Sequence, residues 1–257
     1  MINVSGFTEM SGADLFDLRR NRCAAALFDM LLVNHAGSFS AAVGNAGRQA
    51  AHRLFGSKEV KPADMLSGHV SACIQRFREL CGADGYLLIA SDTTDFDFSG
   101  HTKTDGLGSV GIRRTSGKGL QSHGGLAMSP DGMPLGVVYL DIWPRVCAKK
   151  GLTKAEKKKI NDNTPKEEKE SYKWLKCILG VQKLIPSDVK LLFIQDREAD
   201  MFDLFTEPRR TGVELLVRAA QPRCVEVVSN DPDIVRIPLK VRIDSGGKFA
   251  RIPFECV

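Results

Sequence analysis

Two apolar runs in this chain end on an aspartate: Tyr86-Leu-Leu-Ile-Ala-Ser-Asp92 and Val189-Lys-Leu-Leu-Phe-Ile-Gln-Asp196. Each is too short for a buried helix and reads as a buried strand that delivers a carboxylate at its C-terminal end. If the strands are parallel neighbours, their axes lie about 4.8 Å apart. Both carboxylates then open on the same edge of the sheet, where open α/β sheets put their ligands. Carboxylates that close repel unless a proton or a metal ion lies between them. Hard cations prefer oxygen ligands, so Asp92 and Asp196 read as a site for Mg²⁺ or Mn²⁺.

The rest of the chain constrains this reading without carrying it. At 257 residues and 43% hydrophobic, it has the material for one large domain or two smaller ones, each with a normal core. A net charge of +5 and a pI near 8.8 point mildly toward nucleic acid. The distribution is sharper, because residues 140–183 carry twice as many Lys and Arg as Asp and Glu. Seven cysteines, with no Cys-x-x-Cys pair and no zinc spacing, fit reduced thiols in a cytoplasmic protein. No signal peptide is evident, and no apolar run approaches the ~20 residues of a membrane span.

Along the chain, residues 11–34 have helical rhythm, with Ser11 as the expected cap and Leu15, Leu18, Cys23, Leu27 and Leu31 recurring at helical intervals. Further helices are expected at 39–55, stopped by Gly56, and at 63–81, stopped by Gly82. From 86 the pattern turns to strands, at 86–91, 107–113, 120–128 and 134–142, the last two joined by Ser129-Pro-Asp-Gly132. A lysine-rich segment, 148–170, leads to helix 166–183, strand 189–195, helix 198–209 and strand 213–218. The order implies an α/β fold with a mixed sheet, preceded by a helical unit over 1–82. Past residue 222, the alternation over 235–243 and 249–252 around Asp244-Ser-Gly-Gly247 predicts a β-hairpin.

Single residues keep two readings. Asp196 opens Asp196-Arg-Glu-Ala-Asp200, where an aspartate also serves as a helix N-cap, and Asp92 fits a turn that closes a strand. Arg197 places a cation suited to a phosphate oxygen beside Asp196. Glu198 and Asp200 favour a helix N-terminus, and they are the nearest options for a third carboxylate. Asp95 and Asp97 read as turn carboxylates. His123 sits in a strand among glycines, either near the metal site or as a hydrogen-bonded core residue. Trp143 and Trp174 either stack on bases or close the core. Arg19, Arg20 and Arg22 on the first long helix, and Lys157, Lys158 and Lys159 in the basic run, are candidate phosphate contacts, with surface ion pairs and solvation as the rival readings.

Five segments appear in order: Asp92-Thr-Thr94, Gly119-Leu-Gln-Ser-His-Gly-Gly-Leu126, Leu140-Asp-Ile-Trp-Pro-Arg145, Glu168-Lys-Glu-Ser-Tyr-Lys-Trp174 and Asp196-Arg-Glu-Ala-Asp200. In this the chain resembles the DDE transposases of the insertion sequence four family, bacterial enzymes whose catalytic domain is ribonuclease H-like. Leu18-Arg-Arg-Asn-Arg22 and Ala51-His-Arg-Leu-Phe55 resemble the helical DNA-binding domain those enzymes carry, which adds Arg53 to the DNA-facing candidates.

The resemblance implies a DNA-binding domain over 1–82, a ribonuclease H-like core over 83–222 and the start of a β-rich insertion over 223–257. It makes Asp92 and Asp196 the first two catalytic acids, with Mg²⁺ or Mn²⁺ as cofactor. Double-stranded transposon ends and target DNA are the implied partners, and a homodimer on paired ends is the implied assembly. The implied location is cytoplasmic, with the nucleoid. The implied reaction is phosphoryl transfer by two metal ions about 4 Å apart. The family's third acid lies in a pattern Tyr-x2-Arg-x3-Glu-x6-Lys that this chain lacks. Arg251-Ile-Pro-Phe-Glu255 has its Arg-to-Glu spacing, but Pro253 and the alternation around it oppose a helix. The expectation is therefore a transposase truncated before its active site is complete. The alternative is a non-catalytic remnant that occupies transposon ends or pairs with the full-length protein.

Overall fold

The computed structural model describes residues 4–82, 85–111, 117–145, 152–220, 223–227 and 235–239. Four helices come first: α1 (Gly6–Met10), α2 (Leu18–Val33), α3 (Phe39–Phe55) and α4 (Pro62–Cys81). The helix expected from Ser11 starts later. Asp14 accepts from Phe16 N at 2.9 Å, Phe16 takes a positive φ of 62°, and Asp17 caps α2 by accepting from Arg19 N at 2.8 Å. Short side chains that bond the nearby backbone compete with helix, which apolar spacing alone does not register. The helices α3 and α4 do end at Gly56 and Gly82.

The strands that follow are β1 (Tyr86–Asp97), β2 (Gly108–Val110), β3 (Gly117–Met128) and β4 (Pro134–Trp143). After α5 (Lys154–Asn163) and α6 (Tyr172–Leu184) come β5 (Lys190–Gln195), α7 (Phe202–Thr206) and β6 (Val213–Val217), with 3-10 turns at Lys166–Glu168 and Arg197–Ala199. The result is an α/β fold with a six-stranded mixed sheet. In it β3 is antiparallel to β1 on one side and to β2 and β4 on the other, while β5 and β6 continue parallel to β1. Beyond it, β7 (Arg223–Val227) and β8 (Val235–Leu239) pair antiparallel in a second sheet. Residues 235–239 of the run 235–243 thus pair upstream with 223–227, whereas 240–243, the expected turn 244–247 and strand 249–252 lie outside the described residues. Alternation marks a strand but does not choose its partner.

The two faces of the main sheet differ. Ile89 shares its face with Ala127 and Gly136 through the β1–β3–β4 register. On that side α6 contributes Trp174, Leu175, Cys177, Ile178 and Val181, and α4 contributes Val70, Cys73, Ile74 and Phe77, all buried with Leu87, Ile89, Leu191 and Phe193. Burial of this kind stabilises by about 1.5–3 kcal/mol for each large apolar side chain. The opposite face carries Val137, Leu140, Ile142 and Leu216, each more than a third exposed. A second apolar cluster, with Leu15, Leu27, Val43, Ala51 and Leu54, lies among the N-terminal helices.

An ionic latch joins those helices to the sheet. Glu9 of α1 is fully buried and takes both an ion pair from Arg76 and a hydrogen bond from His69, both on α4. Arg76 in turn donates to the carbonyl of Leu135 at 2.8 Å through Nη2 and 3.1 Å through Nε, and Val137 N donates to His69 Nε2 at 3.1 Å. Gly136 makes the close approach possible: at φ +146° a Cβ there would fall 2.3 Å from His69 Nε2 and 2.4 Å from Cys73 Sγ.

Candidate metal and nucleic-acid site

The register of β1 and β5 brings the two aspartates together. Tyr86 pairs with Lys190 and each later pair keeps that offset through Ala90 and Ile194. One step on, the Gln195 side-chain amide donates to the Ser91 hydroxyl at 3.1 Å. The same offset, carried two residues past the last paired position, would set Asp92 level with Asp196. Both stand on the open face of the sheet, since Asp92 alternates with buried Ser91 and Asp196 with buried Gln195.

The strand expected to stop at residue 91 instead runs to Asp97. Past Ala90, however, its paired neighbour is β3 and not β5, because the chain leaves β5 after Gln195 and turns through Arg197–Ala199. Asp92 therefore lies where β1 loses a parallel neighbour, which is what exposes the pair. Across from Asp92 on β3 stands Gly124, which puts no side chain beside the carboxylate. Each carboxylate accepts one backbone N–H: Thr93 N to Asp92 Oδ1 at 2.7 Å and Glu198 N to Asp196 Oδ1 at 2.8 Å. Asp196 is thus a cap and a candidate ligand at once. Two exposed carboxylates with oxygens to spare are a donor set suited to a hard divalent cation.

Among the described residues, no third carboxylate joins them. Glu198 pairs with Lys173 at 3.2 Å, and Asp200 accepts from Ala220 N at 2.7 Å. Among the described residues no group of three or more His, Cys, Asp or Glu side chains converges. Glu255 lies outside the described residues.

His123 is placed by its register opposite Thr93, on the α6 side of the sheet and away from the carboxylates. It is fully buried, with Nδ1 3.0 Å from Thr93 Oγ1 and its ring edge-on to Trp174 at 4.6 Å. Burial, reinforced by the field of Lys173, pushes its pKa down to about 4. It is a neutral core histidine, and Trp174 beside it closes the core.

The basic candidates separate as well. Arg19 and Arg22 on α2, Arg53 on α3, Lys158 and Lys159 on α5, and Arg197 after β5 are all exposed. Arg20 is instead committed to structure, paired with Glu59 and donating to the Leu15 carbonyl at 3.2 Å. The Lys157 side chain lies outside those described.

One feature was not anticipated from the sequence. A cleft of about 500 Å³ opens on the α6 side, between Thr93 and Asp95 of β1, Gln121 of β3, Arg145 after β4 and Lys173 of α6. Asp95 is no turn residue. It accepts from Gln121 Nε2 and Gly111 N, both at 2.9 Å, and these bonds hold its carboxyl below the usual range. The available signal was the pairing of a tryptophan with a cation in two motifs, Trp143 with Arg145 and Lys173 with Trp174. Among the described residues, no helix is long and apolar enough to cross a membrane. No protein-family model matches the chain, and no curated protein matches it.

Proposed function

We propose that this chain is a DNA transposase, or part of one, that holds a divalent cation between Asp92 and Asp196 over a DNA phosphate. The observation that carries the reading is the β1–β5 register, whose offset sets the two carboxylates level where β5 ends beside β1. The mixed sheet, with an antiparallel β3–β4 limb on one side of β1 and parallel β5 and β6 on the other, supports a ribonuclease H-like reading of the core. Exposed Arg19, Arg22 and Arg53 on the N-terminal helices supply cations for a duplex, with Lys158 and Lys159 of α5 as a second basic surface. A homodimer on paired DNA ends is the assembly this reading carries.

The protein's part is to bind and position. Asp92 and Asp196 offer oxygen ligands, the Ser91–Gln195 bond keeps the two strands level, and Arg197 stands ready for an adjacent phosphate oxygen. Bound Mg²⁺ or Mn²⁺ would polarise the phosphate and favour deprotonation of the attacking oxygen. Two carboxylates by themselves hold a divalent cation weakly, so binding at this pair is expected to be weak.

A separate observation supports a second reading, a DNA-binding protein without catalysis: Glu198 and Asp200 are engaged elsewhere. One set of measurements tests both. Mn²⁺ titration of the full chain should show binding that Asp92→Asn and Asp196→Asn each remove. Nicking assays on transposon-end DNA then divide transposase from binder. Mn²⁺ affinity indifferent to both substitutions refutes the metal site.

A further inference from the structure

The cleft on the α6 side lies one residue from the aspartate pair, since Thr93 lines it and follows Asp92. Its donors are unusual. The side chains of Lys173 and Arg145 are only 8% and 12% exposed, and each is paired with a glutamate that is far more open: Glu198 at 65% and Glu170 at 40%. Burying two cations and leaving their partners in water forfeits most of the Coulomb attraction that burial would strengthen.

Further donors lie on the same wall. The thirteen-residue helix α6 begins there, and its N-cap Ser171 makes no side-chain capping bond. A helix N-terminus favours an anion. Trp174 also lines the cleft, its ring edge-on to His123 and 5.7 Å from the Lys173 ammonium. Of the carboxylates that line the cleft, Asp95 is already held by Gln121 and Gly111. The Arg145 carbonyl accepts from Ser109 N at 3.0 Å, which anchors the segment that carries the guanidinium.

We propose that this cleft binds a backbone phosphate of a nucleic-acid strand, with Arg145 and Lys173 as donors and Glu170 and Glu198 as the carboxylates it displaces. A planar guanidinium and an ammonium around one oxyanion match phosphate better than they match two solvent-exposed carboxylates. The inference deepens the proposed function, because it gives the strand that crosses the aspartates a second hold on the other side of β1. It does not require a metal.

The test uses the full chain in EDTA, with a labelled oligothymidylate followed by fluorescence anisotropy across a salt series. The double variant Arg145→Gln, Lys173→Gln should weaken binding by about tenfold or more. It should also flatten the salt dependence by about 1.4 in log–log slope, as expected for two lost phosphate contacts on a single strand. Glu170→Gln with Glu198→Gln should tighten binding, and Lys173→Arg should retain it. Competition by inorganic phosphate alone, without any effect of the four substitutions on the oligonucleotide, would assign the site to a free anion and overturn the proposal. Unchanged affinity and slope in the Arg145, Lys173 variant would also overturn it. If that variant does not fold, the glutamate pair decides, and unchanged or weaker binding there is fatal. A chain that binds Mn²⁺ normally yet ignores the cleft substitutions sinks the cleft alone; the reverse result sinks the aspartate pair alone.

Discussion

Gln195 donates its side-chain amide to the hydroxyl of Ser91 at 3.1 Å, and both residues are buried one position before the two candidate metal ligands. The bond ties β1 to β5 at the last level before the strands part. It fixes how far each aspartate projects along its strand, and groups behind metal ligands commonly tune affinity in this way.

Gln195→Met keeps the volume and removes the bond. Stability should fall by about 0.5–1.5 kcal/mol, the net worth of one hydrogen bond. Apparent Mn²⁺ affinity should fall about 10-fold or more, as for other residues that orient metal ligands. Chemical denaturation and Mn²⁺ titration on the same preparation separate the two effects, and an unaltered Mn²⁺ affinity would show that the bond does not orient the site.

The Glu9–Arg76 pair should be the most costly polar contact to break. Glu9→Gln or Arg76→Met alone leaves a buried charge without its partner, at an expected cost of about 3–5 kcal/mol. Replacing both with apolar residues should cost much less than the sum, because the two side chains act as one unit. Urea denaturation of the two single variants and the double variant measures this, and additive losses would contradict it.

The same latch sets a pH dependence. Burial raises the Glu9 carboxyl, but hydrogen bonds from His69 and Arg76 outweigh it and the pKa ends below 4.5. Its contribution is therefore present above pH 4.5 and is lost as pH falls through the lowered value. Burial lowers the His69 pKa, but bonds to Cys73 and Glu9 raise it to about 9, so that contribution is complete below 6.5 and is lost as pH rises toward 9. Stability should peak between about 4.5 and 6.5. Denaturation midpoints across pH, with Glu9→Gln as the control that removes the acid limb, check the prediction.

The two faces of the sheet should respond differently to the same truncation. Ile89 is fully buried against α6, so Ile89→Ala should cost about 2–5 kcal/mol. Leu140 is 43% exposed on the open face, and Leu140→Ala should cost under about 1 kcal/mol. Comparable losses at the two positions would mean that the open face is covered in solution.

Much of this architecture was legible in the chain. The apolar runs before Asp92 and Asp196 became β1 and β5, and Gly56 and Gly82 ended the helices they were expected to end. Such features depend on neighbours within a few residues, and local spacing reports them. The start of α2 was misplaced for the same kind of reason, since Asp14 and Asp17 bond nearby backbone in ways that apolar rhythm ignores.

Identity and spacing were enough to nominate the two acids, and the tertiary structure decided everything about their surroundings. Only the β1–β5 register sets Asp92 level with Asp196, and only the early end of β5 exposes them. His123 was an open choice until strand pairing turned it toward α6 and burial suppressed its charge. The cleft draws on segments from β1 to α6, and the Glu9–Arg76 latch joins α1 to α4. These outcomes depend on which distant segments meet and on whether a charge is buried when they do, and no local pattern of residues encodes either.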